Sequence, residues 1–222
     1  MYPLKRLTIL CGHYGSGKTN VAVNIAAELK KSHDTVTVAD LDIVNPYFRT
    51  KDSARFFEEQ GIRLICSAYA NSNVDIPALP QEMYALTDDR SMTAVLDIGG
   101  DDRGALVLGR LVPKILLENN YEMLMVINCY RPLTRDASST LEVMREIEQA
   151  GGIRFTGLVN NSNLGALTTV EDVLASRGYA EEVSGLSGLP VVMTSVKQEL
   201  FAAVEGLVPY AFPLKLQKNK FL

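Results

Sequence analysis

The sequence predicts a three-layer α/β fold with a mostly parallel central sheet of about seven strands, on three observations. Short runs rich in β-branched residues alternate with longer stretches of helical period from one end to the other, the pattern of βαβ units around a buried sheet. Polar clusters stand at the ends of several of these runs, where ligands gather in such sheets. No internal repeat, low-complexity tract or Gly/Ser linker interrupts the pattern, so residues 1–222 read as one domain with a short C-terminal tail at 211–222.

The elements follow in order. The first strand, Arg6 to Cys11, runs into glycines and then into a helix over Lys18 to Lys31. A second strand, Thr35 to Leu41, ends in acidic residues, and Asn45-Pro46 signals a turn before a helix at Thr50 to Gln60. Further strands are expected at Ile62 to Ser67, Thr93 to Ile98, Met123 to Cys129, Phe155 to Asn160 and Val191 to Ser195. The helices between and after them fall at Gln81 to Asp88, Gly104 to Glu118, Thr134 to Ala150, Val170 to Arg177 and Lys197 to Val204.

The bulk chemistry narrows the function classes. A net charge of −4 gives no support to a nucleic-acid binder, which must neutralise many phosphates with a basic surface. Cys11, Cys66 and Cys129 lie in or beside apolar runs without close pairing, and the chain has only 2 histidines, so a disulfide frame or zinc site is not expected. Reduced thiols, no evident signal peptide and no apolar run of spanning length predict a cytoplasmic protein. The mixed apolar and basic tail, Leu214 to Leu222, makes no clean amphipathic helix, so membrane contact is not expected.

Residues Gly12, His13, Tyr14, Gly15, Ser16, Gly17, Lys18 and Thr19 have the full spacing of a Walker A loop, set between strand and helix, with Asn20 opening the helix proper. Glycines let successive N–H groups turn toward phosphate oxygens, and the helix offers its positive end to the same anion. Lys18 adds a point charge, and Thr19 a hydroxyl for Mg²⁺, a cation that takes few protein ligands. Asp97 closes an apolar strand in the manner of a Walker B aspartate, and Gly99-Gly100 leave the backbone free to approach a γ-phosphate. Asp40 and Asp42 share one side of an extended strand end. Asp42 is the candidate for positioning or deprotonating an attacking water and Asp40 for the magnesium shell, with helix capping as the competing reading. The expected parts are those of phosphoryl transfer, without a covalent nucleophile.

The loop, the Asp40-x-Asp42 pair with Asn45-Pro46, and the Asp97-x-Gly99-Gly100 segment together resemble the MinD/ParA (CobQ/CobB/MinD/ParA) group of deviant-Walker-A P-loop ATPases, over most of the chain. The resemblance implies the P-loop NTPase fold, ATP with Mg²⁺, and a homodimer sandwiching two nucleotides. It places Lys18 on the β- and γ-phosphates, Thr19 on the metal, Asp42 in switch I and Asp97 in switch II. Either Asn160 or Asn161 resembles the group's adenine-reading asparagine, and no Asn-Lys-x-Asp guanine reader is present. One departure matters: the group's second lysine, early in the loop, is here His13, and Tyr14 stands where glycine is usual. Either His13 has taken over that lysine's task, another activator serves, or turnover is slow. The resulting expectation is an ATPase switch acting on a dimer or an unidentified protein partner. The alternatives are an enzyme that activates a small carboxylic acid with ATP, like dethiobiotin synthetase or cobyrinic acid amidase, and a nucleotide-binding module with negligible turnover.

Overall fold

Apolar strands drawn from both halves of the chain line up side by side in one sheet. The structure, a computed structural model, describes residues 2–41, 53–66, 81–100 and 102–216. Its strands are β1 (Leu7–Cys11), β2 (Val36–Leu41), β3 (Arg63–Cys66), β4 (Thr93–Ile98), β5 (Tyr121–Ile127), β6 (Gly157–Asn160), β7 (Val191–Lys197) and β8 (Ala211–Leu214). The helices are α1 (Lys18–Leu29), α2 (Ala54–Glu59), α3 (Gln81–Asp88), α4 (Asp102–Gly109), α5 (Val112–Glu118), α6 (Ala137–Gly151), α7 (Val170–Ser187) and α8 (Phe201–Val204).

The strands form one sheet in the order β3-β2-β4-β1-β5-β6-β7-β8. Every pairing is parallel. Both faces are covered, as parallel sheets require. Leu10, Val38, Val95, Val126 and Val159 pack under Val21, Ile25 and Leu29 of α1 and Phe57 of α2 on one face. Ile9, Ala39, Leu96, Met125 and Leu158 pack on the other face against Met83 of α3, Leu108 of α4, Ile115 of α5, Ile147 of α6 and Val183 of α7.

The expected parallel sheet is present, with 8 strands among the described residues, and two helix boundaries need correction. The extra strand, β8, occupies residues read as tail; it is only 4 residues long and contains Pro213, which its edge position tolerates because one side of the strand needs no donor. The helix expected over Gly104 to Glu118 is two, α4 and α5, because Pro113 near the start of α5 supplies no N–H to a continuing ladder. α7 runs ten residues past its expected end, to Ser187, opened by a reciprocal Thr169–Asp172 capping box and closed by Gly188 in the left-handed conformation (φ 73°).

Candidate functional site

The order of the strands creates the site. From β1 the chain crosses to β2 on one side, and from β4 it crosses past β1 to β5 on the other, so the strand order reverses here and a crevice opens at the carboxyl end of β1. The loop 12–17 fills that point and leads into α1. Its last residue, Gly17, caps the helix with φ 86° and ψ 17°, a left-handed conformation that glycine adopts without strain. Ser16 N donates to His13 O at 3.0 Å, closing the turn, and Val21 N donates to Gly17 O at 3.2 Å. A loop turned this way, on the positive end of a helix, presents its amides to an anion.

The functional side chains are drawn inward. Ser16, Lys18 and Thr19 are buried, although a lysine and two hydroxyl residues on a loop and helix start would ordinarily face water. Thr19 Oγ1 donates to Asp97 Oδ2 at 2.7 Å, joining α1 to the end of β4. Asp40 is the register partner of Asp97 on the neighbouring strand, which puts both carboxyls on the α1 face. Both are buried. Ser16 Oγ and Asn20 Oδ1 are buried without a hydrogen-bond partner among the described residues. Hydroxyl and carboxylate oxygens, with hydrogen-bonding capacity left over, form the hard oxygen set that suits Mg²⁺. Because the Thr19 hydrogen is given to Asp97, its lone pairs stay available to a cation.

Gly100 is fixed by a close approach. A Cβ there would fall 1.9 Å from Gly12 O and 3.0 Å from His13 Cα, so the turn after β4 rests directly on the start of the phosphate loop. His13 Nδ1 lies 3.1 Å from Tyr14 O, and Tyr14 is 57% exposed on the loop crest. Asp42 and the segment 45–49 lie outside the described residues.

The two candidate asparagines separate cleanly. Alternation along β6 sends Asn160 to the face opposite the phosphate loop, where Nδ2 donates to Ser176 Oγ of α7 at 2.9 Å and Oδ1 accepts from Ser162 N at 3.2 Å. Asn161 falls on the loop side: its Nδ2 donates to Ser16 O at 2.6 Å, and its Oδ1 accepts from Ser195 Oγ. It also lines a cleft of about 60 Å³ with Gly17, Asn20, Asn163, Thr168 and Lys197. Nothing in the chemistry calls for a thiol, and burial pushes the Cys129 thiol above its ordinary value.

Sequence reasoning missed two residues at this edge. Arg131, after β5, donates through Nε to Gly15 O at 2.8 Å. Ser195, in β7, holds Asn161. Both stand at strand ends, and examining the ends of the fifth and seventh strands as closely as the others would have found them.

No family model and no curated protein matches the chain. Solved structures do. FtsY from Mycoplasma mycoides is 16% identical, with 86% of this chain and 59% of that one covered at a TM-score of 0.54. Chloroplast FtsY from Physcomitrella patens gives 18%, 85%, 57% and 0.58, and the cell division protein FtsY from Thermotoga maritima 17%, 87%, 62% and 0.56. The chain thus spans about three fifths of the length of these structures. No helix among the described residues is long and apolar enough to cross a membrane. The parallel sheet, the phosphate loop at its switch point and these likenesses together give the chain the P-loop NTPase fold.

Proposed function

We propose that the chain is a Mg²⁺-dependent nucleoside triphosphatase that works as a nucleotide-dependent switch, of the MinD/ParA type, with ATP as its nucleotide. The observation that carries the reading is the buried Thr19–Asp97 hydrogen bond, which couples the phosphate-loop helix to the glycine turn after β4.

Each residue has a distinct part in this reading. The loop amides of 12–17 and the Lys18 ammonium hold the β- and γ-phosphates. Thr19 holds the metal directly, while Asp97 and Asp40 hold its water shell. Asp42 positions the attacking water and takes its proton. Bound Mg²⁺-triphosphate supplies the bond to be broken and the Lewis acidity that eases its departure. Gly100, in contact with Gly12, moves with the loop and carries occupancy to the α4 side of the sheet. Asn161 reads the base from the cleft it lines, and Asn160 supports it from the opposite face. Adenine is favoured because no Asn-Lys-x-Asp segment is present. The exposed Tyr14 beside His13 supports the loop crest as the surface met by a second copy or a protein partner.

The test is calorimetric titration with ATP and with GTP, each with and without Mg²⁺, alongside phosphate release. Tighter Mg²⁺-dependent binding of ATP with slow phosphate release is the expected result. Equal or tighter binding of GTP sinks the adenine assignment, and the absence of heat with both nucleotides sinks the whole reading.

A further inference from the structure

The loop after β5 brings a guanidinium, charged at any physiological pH, onto the phosphate loop. Its backbone is fixed by the buried Asn128: Oδ1 accepts from Tyr130 N at 3.0 Å, the carbonyl accepts from Arg131 N at 3.2 Å, and Thr134 Oγ1 donates to that same carbonyl at 2.8 Å. Pro132 follows at once and restricts the chain further. Arg131 therefore leaves the loop from a rigid base, and its half-buried side chain lies across the crest of the phosphate loop. Nε donates to Gly15 O at 2.8 Å, and a Cβ on Gly15 would stand 3.6 Å from both Cδ and Nε.

Among the described residues no carboxylate pairs with Arg131, whereas its neighbour Arg135 has Asp136 at 3.5 Å. A partly buried guanidinium ordinarily has a counter-charge. Here the four remaining N–H groups have none from the described residues, and the loop to which Nε is tied is one built to surround an anion. The planar fork of a guanidinium matches phosphate oxygens and is charged at any physiological pH.

Resting on the triphosphatase reading above, we propose that Arg131 is a phosphate-contacting residue of the same site, supplying it a constant charge. In hydrolysis the water oxygen bonds to the γ-phosphorus and the bond from that phosphorus to the β–γ bridging oxygen breaks. The electron pair stays on the departing diphosphate, and the water proton passes to Asp42. Arg131 exchanges no proton; it stabilises the negative charge that gathers on the leaving oxygen.

Three variants separate charge from mere bracing. Arg131→Gln keeps a donor for Gly15 O and loses the charge, Arg131→Lys keeps the charge and loses the fork, and Arg131→Ala loses both. The affinity for Mg²⁺ with a non-hydrolysable ATP analogue is measured with phosphate release and with the nucleotide-free melting temperature. Arg131→Gln and Arg131→Ala are expected to bind about tenfold more weakly and to release phosphate on the order of 10³-fold more slowly, with Arg131→Lys between them and wild type. Added guanidinium ion restores part of the Arg131→Ala hydrolysis and none in Lys18→Ala. The proposal is overturned if Arg131→Gln matches wild type in binding and turnover. It is equally overturned if Arg131→Lys is as impaired as Arg131→Ala and guanidinium ion has no effect, since the arginine then only braces Gly15. Wild-type protein that binds no triphosphate overturns the triphosphatase reading itself, and the first titration shows it before any variant is made.

Discussion

The two ends of the sheet solve opposite problems. At the amino ends of the strands the Arg6 side chain, 8% exposed, is fully occupied: it donates to Leu86 O at 3.1 Å, Asp89 O at 3.2 Å and Met92 O at 2.9 Å, and pairs with the Glu118 side chain, 7% exposed. Nearby, Thr156 Oγ1 donates to the buried Glu122 at 2.7 Å. At the carboxyl ends, Ser16 Oγ, Asn20 Oδ1 and Asn128 Nδ2 are buried with no hydrogen-bond partner among the described residues; Thr37 Oγ1, inside β2, shares that state. An unmade buried hydrogen bond costs about 1–3 kcal/mol, so the chain concentrates this cost where a ligand can relieve it. One end closes the fold, and the other keeps binding capacity in reserve.

The comparison predicts that damage at the first end lowers stability and damage at the second lowers binding. Arg6→Met leaves Glu118 buried without its partner and should cost about 3–5 kcal/mol in urea unfolding, while the folded fraction still binds nucleotide. Weakened nucleotide affinity in folded Arg6→Met protein would break the distinction. The same pair sets an acid limit. The hydrogen bond from Arg6 holds the Glu118 carboxyl below its ordinary range, against the opposing effect of burial. Its folded-state pKa is thus depressed, and its contribution is complete above the ordinary carboxylate value and lost as pH falls through the folded one. Glu118→Gln should flatten the dependence of the urea midpoint on acid pH over that window.

Lys18→Ala is the mirror case. It should weaken triphosphate binding about 10²-fold, near 2.7 kcal/mol, and lower the melting temperature of nucleotide-free protein less than Arg6→Met does. Gly100→Ala sharpens the comparison because it touches both properties: backbone of Gly12 and His13 must move to admit the methyl group, at about 1–3 kcal/mol, and the loop is displaced as it does. Unchanged nucleotide affinity in that variant would sever the turn after β4 from the phosphate loop. Smallest is Thr169→Ala, which removes the cap of α7 for about 1 kcal/mol and should leave binding alone.

What the sequence disclosed follows the range of the physics. The place of loop 12–17 between β1 and α1, and of Asp40 and Asp97 near strand ends, was legible because strand, turn and helix start are contiguous in the chain. The pairing of Asp40 with Asp97 was not, since register is a property of two strands. The choice between Asn160 and Asn161 turns on which of two adjacent residues faces α1, and a strand end misplaced by one residue inverts the answer. Arg131 reaches Gly15 across 116 residues of chain, a separation over which no local pattern speaks. β8 hid behind Pro213, and the break between α4 and α5 stood in plain view at Pro113.

Asn24, on the outer part of α1, exchanges two hydrogen bonds with Lys215 just beyond β8, 3.1 Å from Nδ2 to the carbonyl and 2.9 Å from the amide to Oδ1, across 191 residues. Phe212 and Leu214 of β8 join the same apolar cluster as Val21 and Ile25. A helix therefore gains its last support only when a segment 191 residues further along the chain has been made. Competence to grip a nucleotide should arrive all at once when β8 joins the sheet, and a nascent chain halted before residue 211 should remain blind to nucleotide.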